Sequence, residues 1–221
     1  IWAWGDNSRG QCDVPAPNAN YTAVAGGYYH SLGLTAAGSV VAWGSNSRGE
    51  CDIPAGNANY VAISAKGYPS VGLKSDGAIE AWGDNADGQC EVPVPNTDFG
   101  AVVAGGYHTL GLKTDGSLVA WGQNSFDQCD VPAPNAGFVG VAAGYYHSLG
   151  LKTDGSVVAW GANTYGQCNV PAPNADFVTI SAGGYFSVGV KADGSVVAWG
   201  GNTFGQCDVP APNSGFVAVA A

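Results

Sequence analysis

Histidine, cysteine and the acids stand in this chain at spacings that could support chemistry. His30, His108 and His147 share one position of a recurring segment, where other copies carry Pro69 and Phe186. A zinc ion needs its ligands within about 2 Å of one point. Equivalent positions of successive repeats converge in that way only if they line an axis, so these histidines are expected to brace loops by hydrogen bonding. Cys12, Cys51, Cys90, Cys129, Cys168 and Cys207 also recur at one position. A disulfide needs Cα atoms within about 7 Å, whereas packed sheets lie about 10 Å apart. Six separate, buried, reduced thiols follow, the alternative being a ring of thiols near an axis that could hold a soft metal. Acids follow the cysteines at Asp13, Asp52, Glu91, Asp130 and Asp208, and others stand at Asp76, Asp115, Asp154 and Asp193, where they read as a solvated acidic surface. The chain has no EF-hand calcium loop, nucleophile elbow or phosphate-cradling glycine loop, and no carboxylate pair peculiar to one copy. Asn20-Tyr21-Thr22 matches a glycosylation sequon, a pattern short enough to arise by chance. A binding protein without cofactor or metal is expected, not an enzyme.

The elements that must position these residues are set by the repeat. Trp-Gly begins at Trp4, Trp43, Trp82, Trp121, Trp160 and Trp199, in steps of 39 without insertion, and the cysteines keep the same step. One unit reads as three strands: Phe138 to Ala142, His147 to Lys152 and Ser156 to Trp160. A Gly/Tyr turn joins the first two, and Asp154-Gly155 reads as a two-residue hairpin. A polar loop, Gly161 to Gln167, leads into Cys168-x-Val170-Pro171-x-Pro173-Asn174, whose prolines bar ladder pairing. The strands do not alternate cleanly between apolar and polar, so both faces of each small sheet must be covered, as they are when blades stack radially. No segment has the 3.6-residue period of a helix. The expected fold is all-β: one β-propeller domain over residues 1–221, with six blades of about three antiparallel strands. A β-helix is the structural alternative.

Composition narrows the partners. The balance of 17 acids against 7 bases gives a net charge of -10, which disfavours nucleic acid and anionic membranes. No run reaches the ~18 apolar residues of a membrane span. Methionine is absent, so the chain reads as a mature or excised piece. Its charge suits an extracellular or cell-envelope protein, and a cytoplasmic one would look much the same.

The segment Ala142 to Gly161, with Asn163-x-x-Gly166-Gln167-Cys168-x-Val170-Pro171, resembles the regulator of chromosome condensation repeat family. It is most similar to the short three-stranded bacterial repeats of propeller-type β-lactamase inhibitors. The resemblance spans the whole chain and implies a propeller whose blade-end loops bind partner proteins. It departs in three ways: six repeats against seven blades in the inhibitors, cysteine where relatives carry Leu or Thr, and no wedge insertion of the kind that carries the family's nucleotide-exchange activity. That activity is therefore not expected here.

Function should lie where repeats differ on a shared face. The Gly/Tyr turns place Tyr29, Tyr68, Tyr107, Tyr146 and Tyr185 at one position, preceded by Tyr28, Gly67, Gly106, Tyr145 and Gly184. Tyr28 and Tyr145 vary between repeats and are expected to be the more exposed. The loop after Trp-Gly, on the same end of the ring, carries Arg9, Arg48, Asp87, Phe126, Tyr165 and Phe204 in turn. Half of this face would be charged and half aromatic, and contiguous exposed aromatics mark binding patches. The expected partner is another protein. An assembly role in an extracellular structure and carbohydrate stacking on the tyrosines are the alternatives. Lys66 and Pro69 also break the pattern on this face. The Gly/Tyr turn occurs only five times. Ala221 aligns with Ala143 and Ile1 with Val157, so a closing blade made of Phe216 to Ala220 and Ile1 to Trp4 would lack its middle strand. Either the chain is a crop of a longer array, or another copy donates a strand to the exposed edges.

Overall fold

Each unit forms its own antiparallel sheet because the middle strand has apolar neighbours on both faces and ladder partners on both edges. The computed structural model describes residues 1–221. It contains five sheets of three strands. The first is β1 (Tyr21–Gly26), β2 (His30–Thr35) and β3 (Val40–Gly44). The second is β4 (Tyr60–Ala65), β5 (Pro69–Lys74) and β6 (Ile79–Gly83), and the third β7 (Phe99–Ala104), β8 (His108–Lys113) and β9 (Leu118–Gly122). The fourth is β10 (Phe138–Ala143), β11 (His147–Lys152) and β12 (Val157–Gly161), and the fifth β13 (Phe177–Ala182), β14 (Phe186–Lys191) and β15 (Val196–Gly200). In the fourth sheet Leu149 stands opposite Ala142 on one side and Ala159 on the other, and a bulge interrupts the first ladder between Phe138 and Gly140.

The core lies between blades. Leu149, Leu151 and Val157 of the fourth pack on Phe177, Ala182 and Trp199 of the fifth. Leu110, Leu112 and Leu118 meet Phe138, Ala143 and Trp160 in the same way. Burying each such side chain contributes roughly 1.5–3 kcal/mol, so each blade is stabilised by its neighbour. Trp160 Nε1 donates to the Gln128 carbonyl at 2.9 Å, tying the outer strand to the preceding loop. Asn174 clasps the start of β12, accepting from Val157 N and donating to Val157 O, both at 2.8 Å.

Several expectations are corrected. The sixth sheet is not formed: Ile1 to Trp4 and Phe216 to Ala220 hold no strand. The middle strand that would carry both of their ladders does not recur between them. Trp4 is 86% exposed, whereas Trp43 is 7% exposed. The Asp154-Gly155 turn is not a two-residue hairpin. Lys152 N donates to Ser156 O and Gly155 N to Lys152 O, with Gly155 at φ +78°, so three residues lie between Lys152 and Ser156. The third strand accordingly begins at Val157.

The cysteines are free but half-buried rather than buried. Each Sγ faces a loop carbonyl, as Cys129 faces Gln123 O at 3.3 Å. The acids after the cysteines are not merely solvated. Asp130 accepts from Asn124 Nδ2 at 2.8 Å, and Asn124 Oδ1 accepts from Cys129 N, so the pair closes the loop. The histidines brace neighbouring blades instead of loops. Nε2 of His30, His108 and His147 lies 2.9–3.0 Å from the hydroxyl of Ser70, Ser148 and Ser187 in the next blade. Those hydroxyls donate onward to the carbonyls of Glu50, Gln128 and Gln167.

Candidate functional site

In the four central loops after Trp-Gly one buried side chain, Glu50, Gln89, Gln128 or Gln167, holds the tip. Oε1 of Gln128 accepts from Phe126 N and that of Gln167 from Tyr165 N, both at 2.9 Å. Gln89 holds Asp87, and Glu50 holds Arg48 through Oε2. Tip residues are thereby presented outward, Phe126 49% exposed and Tyr165 55%, while Phe204, 92% exposed, is held by an exposed glutamine, Gln206. The positioning role of this Gln is not visible as a motif. Its recurrence in five of six copies, with Glu50 in the other, beside a variable tip two residues earlier is the signal that could have revealed it.

The Gly/Tyr turns are linked around the ring by backbone bonds, Tyr28 N to Gly67 O, Gly106 N to Gly144 O and Tyr145 N to Gly184 O. Both loop types do lie on one end, where their rings join. Phe126 packs edge-on against Tyr146 with centroids 5.2 Å apart, and Tyr146 stacks on Tyr107 at 5.0 Å. Tyr165 meets Tyr185 at 5.3 Å, Tyr185 meets Tyr145 at 5.5 Å, and Tyr145 meets Tyr28 at 5.3 Å. Tyr28 then meets Tyr68 at 5.2 Å and lies 6.2 Å from Tyr29. Arg48 covers Tyr68, 4.3 Å from its centroid, and pairs with Asp84 at 2.9 Å. An aromatic band from Tyr165 to Tyr68 thus crosses the mouth of the ring, and the cluster of Phe126, Tyr146 and Tyr107 stands on the same end.

Two expectations about individual residues change. Tyr28 and Tyr145 are half-buried, while Tyr29 and Tyr185 are the more exposed, at 40% and 42%. The former pair points inward and closes over the axis from opposite sides. Gly106 and Gly184 flank Tyr145 so closely that a Cβ on either would lie within 3 Å of its ring. Phe204 and Arg9 reach the surface but touch no ring of the band. For Phe204 the tyrosine that would receive it belongs to the turn that does not recur.

Burial pushes the Tyr146 hydroxyl up to about 12 and raises Tyr28 further, so these phenols are neutral donors at physiological pH. Burial also drives the imidazoles down, His108 to about 3 and His147 to about 4, leaving neutral rings. No three His, Cys, Asp or Glu side chains converge as metal ligands would. The arrangement offers apolar contact, hydroxyl donors and a few rim acids, which is equipment for recognition.

No curated protein matches the chain in sequence. Among solved structures it is similar to the ectodomain of the receptor kinase CR4 of Physcomitrella patens, at 28% identity and TM-score 0.72, covering 89% of this chain and 55% of that one. It is similar to the ectodomain of the receptor kinase ACR4 of Arabidopsis thaliana, at 29% identity and TM-score 0.68, covering 89% and 70%. It is also similar to Prp20p of Saccharomyces cerevisiae, a protein described by its binding to Gsp1p and histones, at 21% identity and TM-score 0.75, covering 90% and 61%. The last likeness shows the fold alone. The chain spans less than two thirds of the CR4 and Prp20p chains. The regulator of chromosome condensation (RCC1) repeat matches residues 21–50, 101–128, 138–167 and 177–206, more than half of the chain. Each matched stretch runs from an inner strand to the end of the loop that carries the tip residue, and on that ground the chain belongs to the RCC1 repeat family.

Proposed function

We propose that this chain is a non-catalytic protein-binding module and that its partner docks on the aromatic end of the ring. The observation that carries the reading is the continuous run of rings from Tyr165 to Tyr68, with a second cluster of Phe126, Tyr146 and Tyr107 on the same end and the Phe126 and Tyr165 tips fixed by buried glutamines. Preorganised aromatic anchors bind without a large ordering cost. The binding of Prp20p to Gsp1p and histones agrees with a fold that works by contact. The rim acids Asp84, Asp87 and Asp127 stand beside the rings and would select against acidic partners. The reading takes residues 1–221 as one ring with six places. In support, Ala221 lines the axis with Ala65, Ala104, Ala143 and Ala182, and Asn18 clasps Ile1 as Asn57 clasps Val40.

The test is capture of proteins from the source organism by the wild-type chain and by a Phe126→Ser/Tyr165→Ser variant. A partner held by the wild type should bind the variant roughly 20- to 30-fold more weakly or worse, as loss of one ~2 kcal/mol anchor implies. Stability should fall by no more than about 1 kcal/mol. Equal capture by both chains would place the interface elsewhere.

A further inference from the structure

The axis of the ring holds one charged side chain, supplied by the blade that breaks the repeat. Where the second blade has Lys66, the others carry Gly27, Gly105, Gly144 and Gly183. The reason is steric. A Cβ at Gly27, Gly105 or Gly144 would lie 2.1–2.6 Å from Cε1 of the histidine three residues on, and one at Gly183 would lie 2.0 Å from the Phe186 ring. In the second blade that ring is replaced by Pro69, so the obstacle is gone and a side chain is admitted. The two departures form one change, whose result is a lysine in the channel.

Lys66 lines an axial cavity of about 220 Å³ together with Ser64, Ser181 and the small residues of the inner strands. On the order of seven waters would fill such a volume. Its Nζ donates to the carbonyl of Ala182 and lies 3.3 Å from that of Ala221. No acidic side chain lines the cavity. Burial alone holds the ammonium down at about 8, and its field further depresses His108 and His147. Apart from Ser64 and Ser181, the rest of the lining is small or apolar side chains. The two backbone oxygens leave one of the three N–H donors of Lys66 free. Ser64 already accepts from Ala104 N at 3.0 Å, so its O–H remains available to donate. One residue along the turn, Tyr28 and Tyr145 meet over the axis.

We propose that Lys66, with the hydroxyls of Ser64 and Ser181, forms a binding site in the axial channel for a small oxyanion, a carboxylate or a phosphate. The site lies inside the ring, whereas the aromatic band lies on its end, so neither reading depends on the other. Amide chemical-shift titrations of the full chain with sodium acetate and with sodium phosphate, at constant ionic strength held with sodium chloride, test it. At least one of the two should give saturable shifts at residues 64–67 and 181–183, and which one does distinguishes a carboxylate ligand from a phosphate. Lys66→Met should weaken binding at least 10-fold, Lys66→Arg should retain it, and Lys66→Gly provides a second neutral variant that the other blades show to be compatible with the fold. Absence of saturable shifts in the wild type with both anions, or equal affinity in the folded neutral variants, would overturn the proposal and leave Lys66 as a strut between the second and fifth blades.

Discussion

Replacing His147 with Phe should cost little at pH 7 and make the protein more resistant to acid. His147 is fully buried, its Nε2 is 3.0 Å from Ser187 Oγ, and its Nδ1 has no partner. The equivalent place in the fifth blade holds Phe186, half-buried with no sheet following it, so the blade's own backbone accepts a phenyl ring of nearly the imidazole's breadth. Ser187 keeps its own donation to Gln167 O at 2.8 Å and loses only what it accepts. Losing one neutral hydrogen bond costs about 1 kcal/mol, and removing the unsatisfied Nδ1 returns a similar amount. At pH 7 the variant should lie within about 1 kcal/mol of the wild type. The pH dependence differs. Burial lowers His147 from 6.5 to about 4 in the fold. Between those values the unfolded chain binds the proton and the native chain does not, so stability falls as pH falls. The full difference, 2.5 × 1.36, is about 3 kcal/mol, of which about 2 kcal/mol is expressed by pH 5. Urea unfolding of both chains at pH 7 and pH 5 measures it. The wild type should lose about 2 kcal/mol more than the variant over that interval. Equal losses would show that His147 is not the neutral buried base described here.

Other expectations follow from the same packing. Gly105→Ala places a Cβ 2.6 Å from His108 Cε1 and 2.9 Å from Gly144 O, and should cost about 2–4 kcal/mol. Combined with His108→Ala, the loss should fall short of the sum by about 1 kcal/mol or more, and strict additivity in denaturant melts would refute the steric account of Lys66 and Pro69. Burial pushes Cys51 and Cys168 up to about 11 and Cys90 and Cys129 to about 12. At pH 8 these four should react with a disulfide reagent at least ~10-fold more slowly in the native protein than in denaturant. A denatured count below six would mean that some are oxidised.

The period of the chain was enough to specify its repeating parts. Six Trp-Gly pairs at one spacing, with turn residues at constant offsets, determine what one unit is and that the blades are alike, because each blade meets the same local propensities and the same kind of neighbour. The shared end of the Gly/Tyr and Trp-Gly loops was legible as well, since a three-stranded meander leaves both on one side. The turn at Asp154-Gly155 is one residue longer than its dipeptide suggests, because a positive-φ glycine serves a bulged hairpin as readily as a two-residue one. The sixth sheet was expected from the count of repeats, but a strand exists only where a partner carries its ladder, and Phe216 to Ala220 has none.

Contacts across the axis were beyond the reach of the sequence. Tyr28 and Tyr145 lie in blades facing one another, and nothing in their local sequence says that they meet at 5.3 Å instead of standing exposed. The same holds for Lys66, visible as a break in the pattern but placed in the channel only by the ring. Repeat identity alone determined the blade, because its structure rests on neighbours in the chain and in the next unit. Closure around an axis decided which variable residues face one another, because that distance depends on the number and tilt of all the blades and is written in no single repeat.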